Sequence, residues 1–259
     1  MIVIVFALVA IGAKALDRGG FLASVAVGYA IFLGGGWTWF VIIASFFILG
    51  VGFTWYKYDY KKSLGGAQDK GGARSWPNIL ANGGIAAIFG LGELLFGGAV
   101  FGVLYVGAMS AAASDTVATE LGLLNKSAPR LITRLGTVVV PGTSGGVTRL
   151  GFLGSLLASL AIGSIAAAVG MLRSLSPEAI VLVAVAGGLS GSVADSLIGA
   201  TLQRKGFCVV CGKPTENLVH CGQPTKRESG VPFVDNNIVN LIATVVGAGA
   251  SLVIAAVLL

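Results

Sequence analysis

Long apolar runs alternate with shorter polar stretches along the whole of this sequence. A helix that crosses a bilayer needs about 20 apolar residues, or somewhat fewer where the run is rich in glycine. By this measure the pattern predicts an all-α fold, a polytopic membrane helical bundle of about seven to eight transmembrane helices in a single domain, 1–259. The first two spans are short, and the first is short enough to enter the bilayer only halfway. The predicted spans are 1–13, 21–36, 37–55, 78–95, 97–116, 151–171, 178–201 and 236–258.

The composition supports a membrane protein and excludes an ordinary soluble domain. Hydrophobic residues make up 55% of the 259 residues and charged residues only 11%, against roughly 25% charged residues in soluble domains. The 40 glycines suit helices that pack closely in lipid, where small side chains let backbones approach. The first apolar run lacks the basic start and the cleavage site of a signal peptide, so we expect it to stay in the mature protein.

The basic residues predict the side of the membrane on which the loops lie. All but one of the 17 Lys and Arg residues fall in four loops, 14–20, 56–77, 117–150 and 202–235, and the exception is Arg173. Eight spans place these loops on one side, and basic loops are typically cytoplasmic, so both termini are predicted outside. The bias of basic residues toward cytoplasmic loops then explains the net charge of +6, so this charge does not indicate a nucleic-acid partner. We expect three lysines of the second loop to be solvated: Lys57, Lys61 and Lys62.

Two aspartates lie inside predicted spans, where an ionisable side chain is costly and usually functional. Asp115 ends the fifth span and Asp195 lies low in the seventh, each followed by hydroxyl and small residues, which suggests a short parallel internal repeat. Further polar residues at the same depth are spaced by four and share a helix face: Asn78 with Asn82, Asp115 with Thr119, and Asn236 with Asn240. A lone Asn often serves only to hold two membrane helices together by a hydrogen bond. Two aspartates and two Asn pairs at one depth instead predict a site at the inner membrane face.

Acidic side chains at this depth predict a magnesium site. Asp115, Glu120 and Asp195 are the only acids placed to bind a divalent cation near the inner leaflet. Mg²⁺ typically uses one or two carboxylates together with substrate phosphates. On an ideal helix Asp115 and Glu120 diverge by about 140°, so local pairing is the alternative for Glu120.

Glycine-rich and basic segments are candidates for phosphate binding. Residues 136–149 combine glycines and hydroxyl side chains just before the sixth span, which is typical of a phosphate cradle at a helix N-terminus. A simple re-entrant turn is the alternative. The predicted phosphate ligands in this loop are Thr143, Gly145, Gly146 and Arg149. Arg74 could add a forked phosphate contact, and Lys14 could reach a phosphate unless it serves as a juxtamembrane anchor.

The three cysteines and the only histidine lie in the loop 202–235. The pairs Cys208-x-x-Cys211 and His220-Cys221 resemble a small structural zinc knuckle, with free thiols as the alternative. A cytoplasmic loop disfavours disulfides. Because no Ser-His-Asp arrangement is evident, the residues fit phosphoryl transfer, which needs positioning and charge neutralisation, better than acyl transfer or redox chemistry.

A series of motifs spans nearly the whole chain in order. They are Lys14-x-x-Asp17-x-x-Gly20, Gly72-x-Arg74-x-x-x-Asn78-x-x-x-Asn82-Gly83, Ser114-Asp115-Thr116-x-x-Thr119-Glu120-Leu121-Gly122, Gly142-Thr143-x-Gly145-Gly146-Val147-Thr148, Ala194-Asp195-Ser196-x-x-Gly199-Ala200, Cys208-x-x-Cys211, His220-Cys221 and Asn236-Asn237-x-Val239-Asn240. In these motifs the sequence resembles the integral-membrane family that includes plant phytyl-phosphate kinase and animal transmembrane protein 19.

The resemblance implies a CTP-dependent kinase that converts an isoprenyl monophosphate, of the phytyl or geranylgeranyl phosphate type, to the diphosphate. The expected partners are the prenyl-phosphate lipid, the nucleotide triphosphate and membrane lipids. In this hypothesis Mg²⁺ binds Asp115 and Asp195, while Arg74 and Lys14 neutralise phosphate charge. Three residues would orient the acceptor phosphate: Asn78, Asn82 and Asn240.

A membrane transporter or cation/proton carrier that uses the two aspartates is the alternative function. It predicts polar groups near the bilayer midplane and access from both sides. The predicted outer ends carry only three charged residues, Glu93, Arg173 and Glu178, which favours the kinase hypothesis. A lipid-binding scaffold without turnover is a third interpretation.

Overall fold

The protein is a helical membrane bundle, as predicted. The computed structural model describes residues 1–66, 68, 70–212 and 214–258, so the predicted loop cation Lys213 lies outside the described residues. Six of the described helices are long and apolar enough to cross a membrane. The helices are α1 (Ile2–Gly12), α2 (Arg18–Trp55), α3 (Tyr58–Ser63), α4 (Trp76–Phe96), α5 (Ala99–Gly122), α6 (Arg149–Ala168), α7 (Pro177–Thr201) and α8 (Asn236–Leu258).

Helix α2 is folded back on itself at Gly36, which has a φ of +65° and is not helical. A straight helix of 38 residues would be about 57 Å long, nearly twice the thickness of the hydrocarbon core. A Cβ placed on Gly83 of α4 would lie 2.9 Å from Val27 and 3.8 Å from Ile43, which in a straight helix would be about 24 Å apart. The helix therefore forms two antiparallel arms, residues 18–35 and 37–55, and the two separate predicted spans are correct.

Helix α1 is long enough to cross only half of the bilayer. Its 11 residues measure about 16 Å, against about 30 Å for the hydrocarbon core. The ring of Phe6 lies 5.7 Å from both Phe40 and Phe47, edge to face, and Val3 packs on Gly28. The helix thus rests against the two arms of α2.

Helix α5 lies at the centre and packs against its neighbours through small residues. A Cβ on Gly187 of α7 would lie 2.9 Å from the Cα of Gly107 and 2.9 Å from the carbonyl oxygen of Gly247 in α8. Buried hydroxyls join the same helices: Ser110 donates to the carbonyl of Ala184 at 2.6 Å. The glycine-rich composition therefore brings three helices close together, as the sequence indicates.

The four basic loops meet at one end of the bundle. Asp17 and Lys70 form an ion pair of 2.8 Å, Gly66 packs on Leu123, and the hydroxyl of Ser144 donates to the carboxylate of Glu216. This agrees with the prediction that they share one side, and the cytoplasmic assignment of that side stays a prediction.

Two of these loops also contain short antiparallel strands that the sequence analysis did not predict. The loop before α6 has a sheet of order β2-β1-β3, and the loop before α8 has a sheet of order β5-β4-β8 and a hairpin β6-β7. The strands are β1 (Arg130–Leu131), β2 (Arg134–Val138), β3 (Gly146–Val147), β4 (Lys205–Phe207), β5 (Pro214–Thr215), β6 (Val219–His220), β7 (Gln223–Pro224) and β8 (Lys226–Ser229).

Candidate functional site

Asp115 of α5 and Asp195 of α7 lie side by side at the loop end of the bundle, with their carboxyl groups within hydrogen-bonding distance. One helical turn before each lies a small residue, Ala111 and Gly191, and a Cβ on Gly191 would overlap the Cβ of Ala111. The absence of that Cβ lets α5 and α7 approach closely enough to bring the carboxyl groups together. Each aspartate lies about 10 Å from the C-terminal end of its helix.

Asn240 adds a polar group from a third helix. Its side chain is buried, and with the amide nitrogen oriented toward Asp195 it donates to the carboxylate at 2.9 Å and to the backbone carbonyl of Asn236 at 3.2 Å. This orientation is assigned from the surrounding acceptors. The side chain of Asn236 itself is exposed, so of this predicted pair Asn240 is the residue that reaches the carboxylates.

The backbone of Arg74 is held by the turn that follows α1. Its N–H donates to the carbonyl of Ala15 at 2.9 Å, and its carbonyl accepts from the N–H of Asp17 at 3.1 Å. A Cβ on Gly20 would overlap the Arg74 carbonyl oxygen, so this close approach requires glycine. The predicted motif Lys14-x-x-Asp17-x-x-Gly20 thus includes residues that position Arg74.

The guanidinium of Arg74 is buried and only partly paired. The residue is 8% exposed; Nη1 donates to Asn78 Oδ1 at 3.0 Å, whereas Nη2 has no partner among the described residues. The opposite charges that act on it are those of Glu120 and Asp115. A buried polar group without a partner is costly, which indicates that Nη2 is available to an anionic ligand.

Asn82 connects Arg74 to the carboxylates. It lies one turn after Asn78, to whose carbonyl its amide donates at 3.0 Å. Together with Asp115, Asn240 and Thr244 it lines a narrow cleft. The structure therefore brings together the side chains of Arg74, Asn78, Asn82, Asp115, Asp195 and Asn240, all of which the sequence analysis selected.

Glu120 forms an ion pair with Lys61 and does not join the paired aspartates, although its charge also acts on Arg74. Its Oε2 accepts from Lys61, and its Oε1 accepts from the Thr54 hydroxyl at 2.9 Å. Both carboxylate oxygens of Glu120 therefore already have partners. This fits the alternative of local pairing better than the predicted role as a magnesium ligand. Lys61 is 1% exposed, so the prediction of a solvated side chain is wrong for this lysine.

The loop 141–149 packs against the end of α7. Two of the backbone donors predicted to cradle a phosphate are used within the loop: the N–H of Thr143 donates to Val140, and that of Gly146 donates to Thr143. Gly145, with a φ of +80°, packs directly on Ala200. Thr143 and Gly146 therefore have their backbone donors engaged within the loop, and the choice between a phosphate cradle and a re-entrant turn stays a prediction.

Three predicted residues are not joined to the cluster by any contact among the described residues. Thr119, Lys14 and Arg149 all have exposed side chains. Lys14 has a φ of 61° in the turn after α1, and Arg149 is the first residue of α6, after the cap formed by Thr148. Their predicted roles in phosphate binding stay predictions.

The four predicted zinc ligands lie together in the loop before α8. The ligand atoms of Cys208, Cys211, His220 and Cys221 are all within 4.8 Å of one another. Backbone N–H groups of Cys211 and Val210 lower the pKa of Cys208 to about 6, which favours the thiolate that a metal requires. Three thiols and one imidazole at this spacing fit a closed tetrahedral zinc site.

Glu216 is a candidate that the sequence analysis missed. Its carboxylate accepts from the hydroxyl of Ser144 and from Gln203 Nε2, the latter at 2.6 Å. Its charge also acts on Asp195. Glu216 therefore links the cysteine loop, the loop 141–149 and the paired aspartates, although an acid in a polar loop gives no sequence signal of such a role.

Comparison with known proteins gives a family and two relatives. Residues 1–248 match the family described as "Integral membrane protein DUF92". The chain is 32% identical over 211 residues to Protein PGR of Arabidopsis thaliana, covering 71% of this chain and 70% of the plant protein. It is 37% identical over 180 residues to an uncharacterized membrane protein of Methanocaldococcus jannaschii, covering 67% of this chain and 59% of the archaeal protein. No solved structure matches the chain.

Proposed function

The chain belongs to the DUF92 family of integral membrane proteins, and from this premise we propose that it is a CTP-dependent kinase of an isoprenyl monophosphate. The observation that carries the proposal is the pairing of two membrane carboxylates, Asp115 and Asp195, beside a buried guanidinium with an unpartnered nitrogen. Phosphoryl transfer requires both a metal site and cations that neutralise phosphate charge.

The acceptor side of the reaction is assigned to Arg74, Asn78 and Asn82. Arg74 Nη2 would donate to the acceptor phosphate, and the Asn82 amide lies between this position and the carboxylates. An oxygen of the acceptor phosphate then attacks the γ-phosphorus of the nucleotide. The bond to the β,γ-bridging oxygen breaks, the prenyl diphosphate forms and the nucleoside diphosphate leaves.

The donor side is assigned to Asp115 and Asp195, which would hold Mg²⁺. Two adjacent carboxylates repel each other unless a cation or a proton lies between them, and hard carboxylate oxygens are the ligands that Mg²⁺ prefers. When bound, the ion would neutralise charge on the nucleotide phosphates. The amide of Asn240 holds Asp195 in position by donating to it.

The test is turnover by the purified protein. CTP, Mg²⁺ and phytyl or geranylgeranyl phosphate are expected to give the prenyl diphosphate and CDP, detected by chromatography with labelled nucleotide. ATP, GTP and UTP are tested in parallel, and Arg173→Ala, which alters an exposed cation between α6 and α7, is the control. Absence of product with every nucleotide, together with cation or proton uptake by proteoliposomes, would favour the carrier alternative.

We also propose that the cysteine loop binds a structural zinc ion. The support is the convergence of four ligands from two separate turns, Cys208 to Cys211 and His220 to Cys221. A closed set of four ligands leaves no position for a substrate. Zinc would therefore stabilise the loop that carries Glu216, while taking no part in the transfer itself.

A further inference from the structure

One cavity of the described protein lies between α1, the two arms of α2 and the start of α4. The space between these helices, counted to where it opens at the surface, is about 600 Å³. Most of its wall is aliphatic or aromatic, with residues such as Ala7, Val27, Ile43 and Phe47. Such a cavity suits an apolar chain.

Apart from the hydroxyl of Ser24, which donates to the carbonyl of Phe21, the polar side chains of the cavity wall are Arg74, Asn78 and Asn82. These are the residues assigned above to the acceptor phosphate. Asn82 also lines the cleft that contains Asp115, so the cavity and the carboxylate cleft share one wall.

The opposite end of the cavity is formed by residues that lie deeper in the bundle. Phe40 is at this end, and it lies about 10 Å along its helix from Phe47. Phe40 is buried, with its ring edge-on to those of Phe6 and Phe32, and Val3 packs on Gly28 beside it. The cavity therefore has an ionic end and an apolar end, which matches a single-chain lipid monophosphate.

We propose that this cavity holds the hydrocarbon chain of the acceptor and that its depth selects chain length. The inference rests on the proposed function, since it names the site that receives the prenyl chain of that substrate. Ala44, on the second arm of α2, lines the cavity and is half-buried. A larger side chain at this position would occupy space that the chain requires, which makes Ala44 a specificity-determining residue.

The experiment measures binding without nucleotide, so that it does not depend on turnover. Thermal stabilisation of the detergent-purified full chain is titrated with geranyl phosphate and with geranylgeranyl phosphate. Inorganic phosphate and geranylgeraniol test the headgroup and the chain separately. The variants are Ala44→Leu, Ile43→Ala, which enlarges the cavity, and Ala26→Leu, a matched control on the lipid-exposed side of the first arm.

We expect the wild-type protein and Ala26→Leu to prefer the longer phosphate, because its chain buries more apolar surface along the cavity wall. Ala44→Leu should lose affinity for geranylgeranyl phosphate relative to geranyl phosphate by about tenfold or more, and Ile43→Ala should shift the preference toward the longer chain. The inference would be overturned if Ala44→Leu, Ile43→Ala and Ala26→Leu all showed the same relative affinity for the two lipid phosphates. It would also be overturned if inorganic phosphate stabilised the protein as much as the lipid phosphates do. Chain-dependent binding without any phosphoryl transfer would support the cavity assignment and reject the kinase.

Discussion

Lys61 and Glu120 form an ion pair in the interior of the protein, where the exposed fractions of their side chains are 1% and 4%. The ammonium group of Lys61 also donates to the carbonyls of Phe53 and Thr54, at 2.7 and 2.8 Å. All three of its donors are thus satisfied. The pair attaches the short helix α3 to the end of α5, close to the paired aspartates.

Removing one partner of this pair is expected to destabilise the protein strongly. Glu120→Ala leaves the Lys61 ammonium buried without a counter-charge, which should cost about 3–5 kcal/mol. Thermal unfolding in detergent measures the effect, and Asp59→Ala, which alters an exposed acid of α3, is the control. The double variant Lys61→Met/Glu120→Leu should lose less stability than Glu120→Ala; equal melting of Glu120→Ala and Asp59→Ala would contradict the assignment.

The close packing of α5, α7 and α8 predicts that two glycines of one helix respond differently to the same change. A Cβ on Gly247 would lie 2.5 Å from Ala111 and 2.8 Å from the carbonyl oxygen of Gly187, whereas a Cβ on Gly249 meets nothing within 4 Å. Gly247→Ala should therefore separate the helices and lower the melting temperature, because overpacking typically costs about 1–3 kcal/mol. Gly249→Ala should leave it unchanged or slightly higher. A similar loss in both variants would argue against this interface.

The membrane part of the fold could be predicted from the sequence because lipid allows few alternatives. Each membrane-spanning segment must form its backbone hydrogen bonds internally, so the length of an apolar run is enough to predict a helix. The predicted spans 21–36 and 37–55 meet at Gly36 because one bilayer span needs only about 20 apolar residues. The short strands, such as β1 and β3, were missed because their pairing depends on contacts between distant parts of the loops.

The site was predictable where burial itself is the signal. Asp115 and Asp195 stood out because a carboxylate within an apolar run is costly. Lys61 could not be told from Lys57 by any local pattern, since only the folded chain brings Glu120 to one of them. Glu216 was missed for the same reason, because its partners come from two other segments.

The N-terminal cap of α2 predicts a stability contribution that depends on pH. Asp17 accepts from Lys70 and from the N–H of Gly20, both at 2.8 Å, and these bonds lower the pKa of Asp17. A lowered pKa stabilises the fold above the unfolded value of about 3.9, and this contribution is lost as pH falls through the lower folded value. Asp17→Ala should cost about 1 kcal/mol at pH 7. The difference in unfolding free energy from wild type should begin to shrink below about pH 4 and continue to shrink as pH falls through the lower folded pKa; a difference that does not shrink on acidification would contradict this role.

The cysteine loop is expected to carry about one zinc ion per chain, measured by elemental analysis of protein purified without added metal. Cys211→Ser and Cys221→Ser should each lose the metal, whereas Ser229→Ala in the neighbouring strand β8 should retain it. Replacement by Co²⁺ should give the thiolate absorption of a tetrahedral site. Metal-free protein should be cleaved more readily by protease within residues 205–229 while the helices stay folded. Full zinc content in both cysteine variants would reject this ligand set.

The paired aspartates predict that stability and activity change in opposite directions. Asp115→Asn replaces one of two repelling carboxylates with an amide that can donate to Asp195, so the melting temperature measured without metal should rise. The same change removes a negative metal ligand, and kcat/KM for CTP-dependent diphosphate formation should fall by about 10²-fold or more. Asp59→Asn, in the exposed part of α3, should change neither quantity. A variant that loses both stability and activity would show that Asp115 holds the fold together, and a variant that keeps full activity would remove the carboxylate pair from the reaction.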